Sequence, residues 1–222
     1  MGDGQGDLPR GAVVLDLPFE RAGGRWRVEN SPARRVPSHG TWSFGTSHAI
    51  DFVPVDDAGR SAPRTWRRLV APEPPELVVG FGRPVLAPVS GTVVLAHDGE
   101  PDHHARRSAL TLVPYALGQA GRVRAGAPAV AGNHVVIAVG EGGPYVLLAH
   151  LRAGTVRVRP GDRVRTGDLV GECGNSGNST EPHVHLQVCD SIRWEVARGL
   201  PLAFRRRAGP PRVPGEGEVV EA

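Results

Sequence analysis

Two histidines one residue apart, His183 and His185, stand in the segment E-P-H-V-H-L-Q, after a turn rich in glycine and asparagine. Along an extended strand, residues i and i+2 point to the same face. The two imidazoles therefore project side by side, about 6–7 Å apart. That arrangement suits one histidine on a metal ion and the other beside it, touching a bound water or a substrate. A half-exposed strand with two polar side chains has the same spacing, so the pair needs further support. His150 closes the apolar run Y-V-L-L-A-H-L, and Asp51 sits inside A-I-D-F-V-P-V. Histidine in such a run needs a hydrogen-bond partner and a carboxylate needs a counter-charge, because burying either one alone is costly.

A catalytic zinc site takes three protein ligands and a water. Asp51 and one of the paired histidines supply two. The third is His39, in the loop S-H-G-T, or His48, three residues before Asp51. On an extended strand an offset of three sends side chains to opposite faces, which disfavours His48. The glycine-bearing loop lets His39 fold back, so His39 is preferred. His134, in G-N-H-V-V-I, reads as a surface or structural residue. His97, His103 and His104 read as solvated, and Trp42 and Phe44 as packing residues.

The elements that must carry these residues are short strands. P-V-L-A-P-V-S-G-T-V-V-L-A-H predicts two strands around a turn at Ser90-Gly91, with β-branched residues favouring extension. G-N-H-V-V-I-A-V, G-P-Y-V-L-L-A-H-L, R-V-R-P-G-D-R-V-R-T-G-D-L-V-G-E and H-V-H-L-Q-V follow, each bounded by Gly, Pro, Asn or Asp. Regular short strands with such turns predict an all-β sandwich or barrel. Residues 1–36 predict one edge strand (A-V-V-L-D-L-P-F) and an arginine-rich linker. Residues 37–204 form the main domain, interrupted by an insertion over 98–131 with strand-like pieces at Leu110 to Val113 and near Val123. Residues 191–199 predict a short C-terminal helix closed by Gly199. Residues 205–222 have the composition of a disordered tail.

The totals exclude several classes. Glycine (30) and proline (21) approach a quarter of the 222 residues, which favours turns and short strands over long helices. No stretch reaches the about 18 apolar residues of a membrane span. The first residues, M-G-D-G-Q-G-D-L, lack the basic start and apolar core of a secretory signal, which leaves the location open. All 26 basic residues are arginine, with no lysine, and net charge is only +3. The arginines (Arg67, Arg68, Arg106, Arg107, Arg205 to Arg207) are scattered without aromatic interleaving, which argues against nucleic-acid binding. Cys173 and Cys189 are too few for a disulfide scaffold. They read as small buried side chains. A bridge between them is open only if their Cα atoms come within about 7 Å.

Four stretches, in order and spacing, resemble the lysostaphin-type (LytM-like) zinc metallopeptidases, which cut peptide bonds in bacterial cell-wall peptidoglycan. They are A-I-D-F, the strand pair P-V-L-A-P-V-S-G-T-V-V, L-A-H-L followed by V-R-P-G-D-R-V-R-T-G-D-L-V-G, and G-N-S-G-N-S-T-E-P-H-V-H-L-Q. The resemblance runs from about Ser38 to Val188. It implies an antiparallel β-sandwich of the lysostaphin-type kind, one zinc ion, and a metalloendopeptidase acting on peptidoglycan cross-links or stem peptides. Such a role implies an extracellular or cell-wall location, and the chain is expected to act as a monomer. Asp51 and His185 would be zinc ligands, and His150 and His183 the catalytic histidines. The family's first ligand commonly stands four residues before the aspartate. Ser47 occupies that position here. Members with an earlier loop histidine are closer, and His39 fits them.

The strand grammar V-x-x-G-D-x-V-x-x-G-D-L-V-G is shared with biotinyl and lipoyl carriers, but those need a modifiable lysine that this chain lacks. A histidine phosphocarrier would not account for Asp51 together with H-x-H. A non-catalytic member of the same family, binding the wall or activating a partner, is the alternative to the peptidase.

Overall fold

The computed structural model describes residues 10–20, 24–63, 71–108, 110, 121 and 126–221. Its strands are β1 (Val13–Leu15), β2 (Arg25–Glu29), β3 (Ile50–Val55), β4 (Pro84–Leu86), β5 (Gly91–His97), β6 (Asn133–Ala138), β7 (Tyr145–Leu151), β8 (Arg163–Val164), β9 (Leu169–Glu172), β10 (Val184–Cys189), β11 (Leu202–Phe204) and β12 (Val219–Glu221). An eight-stranded antiparallel sheet runs in the order β12-β2-β3-β10-β7-β6-β5-β8. Two small sheets, β1 with β11 (parallel) and β4 with β9 (antiparallel), flank it. The all-β fold read from the short strands is present.

Strand alternation explains the layers. On β10, Val184, Leu186 and Val188 join Ile50 and Phe52 of β3, and Val146 and Leu148 of β7, in the main core. Phe19, Trp26, Phe52 and Phe204 pack there as rings, with Phe19 stacked on Trp26 at 3.8 Å between centroids. The alternate residues, His185 and Gln187 on β10, Asp51 on β3 and Ala149 on β7, point to the opposite face. A smaller cluster of Val136, Leu147 and Ala149 lies there. The sheet thus has one face that buries apolar surface and one that presents polar groups over a thin apolar floor.

Four expectations are corrected. No helix forms over 191–199. Val196 and Ala197 both donate to the Arg193 carbonyl in a single turn, and the chain then extends so that Gly199 bridges back to Cys189 and Leu200 donates to Val188. Pairing with the end of β10 wins over helical propensity. The linker expected before residue 37 contains β2, whose R-W-R-V-E buries Trp26 and Val28 and exposes the residues between them more. The tail expected to be disordered is ordered. β12 pairs with β2, Phe204 bridges Arg212, and Arg212 forms an ion pair with Glu218. Within 98–131 strand-like pieces were expected at Leu110 to Val113 and near Val123, whereas the element described there is a short helix, α1 (Ala127–Ala131). Leu110 is helical and exposed, while Val113 and Val123 lie outside the described residues.

Leu186 is fully buried on β10, whereas Leu169 on β9 is 39% exposed. Leu186→Ala is expected to lower the unfolding free energy by about 2–5 kcal/mol, and Leu169→Ala by about 0.5 kcal/mol or less. Urea denaturation measures both, and equal losses would contradict this placement of the core.

Candidate metal centre

The antiparallel register of β3 and β10 sets Asp51 directly opposite His185. Their contact is 2.9 Å, from His185 Nδ1 to Asp51 Oδ1. His39 Nε2 lies 3.0 Å from the other carboxylate oxygen, Oδ2. His183, on the same face two residues before His185, brings Nε2 to 3.7 Å from Oδ1. Burial would raise the Asp51 pKa, but electrostatic attraction from His39 and His183 and hydrogen bonds from His185 and His39 overcome it. They hold the carboxyl well below its usual value. One ligand atom each from His39, Asp51 and His185 lies within 4.8 Å of the others. Zinc bonds to nitrogen and oxygen are about 2.0–2.2 Å, so three donor atoms this close fit the ligand set of a single ion.

The outer nitrogens support that fit. The loop holding His39 is fixed by a Ser38 N–H to Ser47 carbonyl bond of 2.9 Å, and turns through left-handed Phe44 and Gly45. His39 Nδ1 is 3.0 Å from Ser38 Oγ, which in turn donates to the Thr46 carbonyl at 3.2 Å. His185 Nε2 is 3.0 Å from Gln187 Oε1, and Gln187 Nε2 donates to the Phe44 carbonyl at 2.9 Å. Each outer N–H is therefore directed to an acceptor. The inner nitrogen is left to carry a proton or a metal ion, the usual way a metal-binding histidine is oriented. His48 stands apart from this group. Its Nδ1 is 3.1 Å from Ser47 Oγ, and burial lowers its pKa against the effect of a backbone bond at Gly199.

His150 reaches the site through a bulge. Across β6 and β7, Asn133 pairs with Leu151 and Val135 with Leu148, so β7 carries one extra residue there. Strict alternation would send His150 to the core face with Leu148. Its left-handed backbone (φ 62°) absorbs the extra residue instead, and Leu151 returns to the core. A non-glycine residue in that conformation costs roughly 1–2 kcal/mol. The His150 and His183 rings lie 4.7 Å apart, and His150 and His185 5.8 Å. His150 Nδ1 donates to the Ser176 carbonyl at 2.9 Å and His183 Nδ1 to the Glu181 carbonyl at 2.8 Å. Both rings thus keep Nε2 as the free nitrogen. Burial, then the neighbouring His183 and His185, hold His150 neutral, well below the usual histidine value.

The loop G-N-S-G-N-S-T that carries Ser176 is braced on two sides. Gly177 (φ 68°) passes so close to Gly132 that a Cβ there would strike its backbone. The start of the insertion supplies the other brace. Asp102 accepts from the Asn175 and Ala153 N–H groups, and His103 and Asn175 exchange two bonds. Sequence reading missed Gln187, although its i+2 offset from His185 announces a shared face. It also missed Asn30, whose Nδ2 donates to Asp51 Oδ2 at 2.8 Å and which carries no local signal. Trp42, expected to pack, is 64% exposed. Cys173 and Cys189 are free and buried, and burial pushes the Cys189 thiol up to about 11.

His134 is a structural residue, buried with Nδ1 2.7 Å from the Gly132 carbonyl and stacked on His97. Burial, with His97 adding to it, lowers its pKa against the effect of that carbonyl. Below the unfolded-state value of about 6.5 the unfolded chain binds a proton that the native state resists, so stability falls as pH drops. Denaturation at pH 8 and pH 5.5 is expected to show a smaller acid loss in His134→Gln than in the wild type. Equal losses would assign the acid sensitivity to other groups.

Residues 115–195 match the model of peptidase family M23. Among solved structures, the chain is similar to the catalytic domain of a mutant of the prophage-encoded M23 protein EnpA from Enterococcus faecalis. That match has 20% identity, covers 70% of this chain and 75% of that one, and has a TM-score of 0.39. The catalytic domain of the antimicrobial peptidase lysostaphin from Staphylococcus simulans matches at 21% identity over 70% and 77%, with a TM-score of 0.37. The SpoIIQ–SpoIIIAH pore-forming complex matches at 16% over 83% and 87%, with a TM-score of 0.43. The segment 115–195 thus matches peptidase family M23, and the motifs that flank and fill it resemble the lysostaphin-type members of that family.

Proposed function

We propose that the protein is a zinc-dependent metalloendopeptidase that hydrolyses peptide bonds in peptidoglycan cross-links or stem peptides. The observation that carries this reading is the convergence of His39, Asp51 and His185 within 4.8 Å, with His150 and His183 beside them. His39, Asp51 and His185 would hold the ion. Zinc, when bound, supplies a Lewis acid for the scissile carbonyl and lowers the pKa of its water towards about 7.

The remaining chemistry belongs to the two other histidines. With Nδ1 of each ring donating to a backbone carbonyl, Nε2 is the atom that accepts or returns a proton. A neutral His150 is ready to take a proton from the attacking water, and transfer to the departing amine completes the cycle. His183, whose Nε2 is within 3.7 Å of Asp51, is placed to donate a hydrogen bond to charge developing on the carbonyl oxygen. No described helix is long and apolar enough to cross a membrane, and the substrate class places the work at the cell wall.

Elemental mass spectrometry of the purified protein is expected to find about one zinc per chain. It should be kept in His48→Ala and lost in His39→Ala and Asp51→Ala. His150→Ala and His183→Ala should keep the zinc yet lose about 100-fold or more of the release of new amine ends from purified peptidoglycan. Undiminished release in His150→Ala would remove it from the mechanism. Full zinc without hydrolysis in the wild type would favour a wall-binding or partner-activating role.

A further inference from the structure

Asp51 has one more partner that is neither a histidine nor part of β3 or β10. Asn30 follows the last residue of β2, where Glu29 pairs with Asp51, and its amide donates to Asp51 Oδ2 at 2.8 Å. Asn30 has a left-handed backbone (φ 52°), so something must hold it. Glu216, from the segment just before β12, does so. Its carboxylate accepts the Asn30 backbone N–H on Oε1 at 3.3 Å and the Ser31 N–H on Oε2 at 2.8 Å. Buried Ser31 adds a bond from Oγ to the Pro214 carbonyl at 2.6 Å. Gly217 donates to the Val28 carbonyl and Val28 donates to Glu218, which locks the same segment along β2.

From this chain of contacts we infer that the C-terminal segment is a working part of the metal centre. Glu216 fixes the Asn30–Ser31 turn, and Asn30 orients the Asp51 carboxylate for its ion. The inference rests on the zinc reading above and extends it to residues about 20 places before and 165 places after Asp51 in sequence. When an ion takes the inner histidine nitrogens and a carboxylate oxygen, the Asn30 bond is the contact that remains to set the carboxylate's angle. Outer partners of this kind tune metal affinity by about 10- to 100-fold. Asn30 and Glu216 are positioning residues: Asn30 acts on the Asp51 carboxylate and Glu216 on the Asn30–Ser31 turn. A purely structural tail would stabilise the fold without acting through Asn30.

The test is a double-mutant cycle on zinc affinity in the full-length chain, measured by competition with a chromophoric chelator. Asn30→Ala and Glu216→Ala are each expected to weaken zinc binding by about 10-fold or more. Adding Glu216→Ala to Asn30→Ala should weaken it little further, because the tail acts through the amide. Glu216→Gln, which keeps one acceptor oxygen, should recover part of the loss. Arg34→Ala, which removes only the 3.6 Å ion pair on Glu216, should leave affinity unchanged. An undiminished Glu216→Ala effect in the Asn30→Ala background overturns the inference, as does wild-type affinity in Glu216→Ala. A wild-type chain that takes up no zinc overturns the metal reading itself and this inference with it.

Discussion

A buried carboxylate has to be surrounded by groups that replace the water it has lost. Asp51 meets that demand with three imidazoles and an amide, all within hydrogen-bonding or ion-pair distance. Its position leaves little freedom. Because Asp51 and His185 are cross-strand partners, a slip of one residue between β3 and β10 would turn Asp51 to the face of Leu186 and Val184 in the apolar core. The cost of an unpaired charge there selects against the slip. The polar cluster therefore specifies register as well as chemistry, and the apolar residues between its members reinforce the same choice.

The bulge at His150 is the other departure from regular sheet. A flat β7 would give the site only Ala149 and Leu147 on its polar face, both too short or too apolar to handle a proton. The extra residue buys a third imidazole next to His183 and His185 at the cost of one left-handed residue. The structure meets that cost locally: Gly174 donates to the His150 carbonyl and Ser176 accepts from its ring. The insertion start, through Asp102 and His103, holds the Gly174–Ser176 segment from outside. Strain at His150 and rigidity of the loop beside it are two sides of one arrangement.

Much of this was legible in the residues. Polar groups stranded in apolar strand patterns pointed to Asp51 and His150, and the period of two brought His183 and His185 together. The extended-strand argument against His48 does not apply, because residues 43–48 form a 3-10 helix, yet the cluster around Asp51 contains His39 and not His48. Other features were invisible for physical reasons. β2 has only two apolar residues, Trp26 and Val28, among arginines, so its alternation reads as a charged linker. The tail has the proline, glycine and arginine content of a flexible end, and its order comes from partners far away in sequence: Ser31, Arg34 and β2. The bulge has no glycine to announce it. The 191–199 segment has helical composition, but its partner at the end of β10 is a tertiary fact. Local pattern thus identified the side chains that the fold gathers around Asp51, while the residues that brace them came from long-range contacts.

The two cysteines complete the picture of how the fold is held. Both thiols are buried and unbridged, Cys173 at the isolated pairing with Leu151 and Cys189 at the end of β10. Their thiolate forms are disfavoured by burial, so they resist exchange and oxidation. Cohesion comes from sheet pairing and the apolar core, and none of it depends on a covalent cross-link. The same native state is accordingly available in a reducing solution and in an oxidising one, and folding makes no demand on the redox machinery of the compartment in which it takes place.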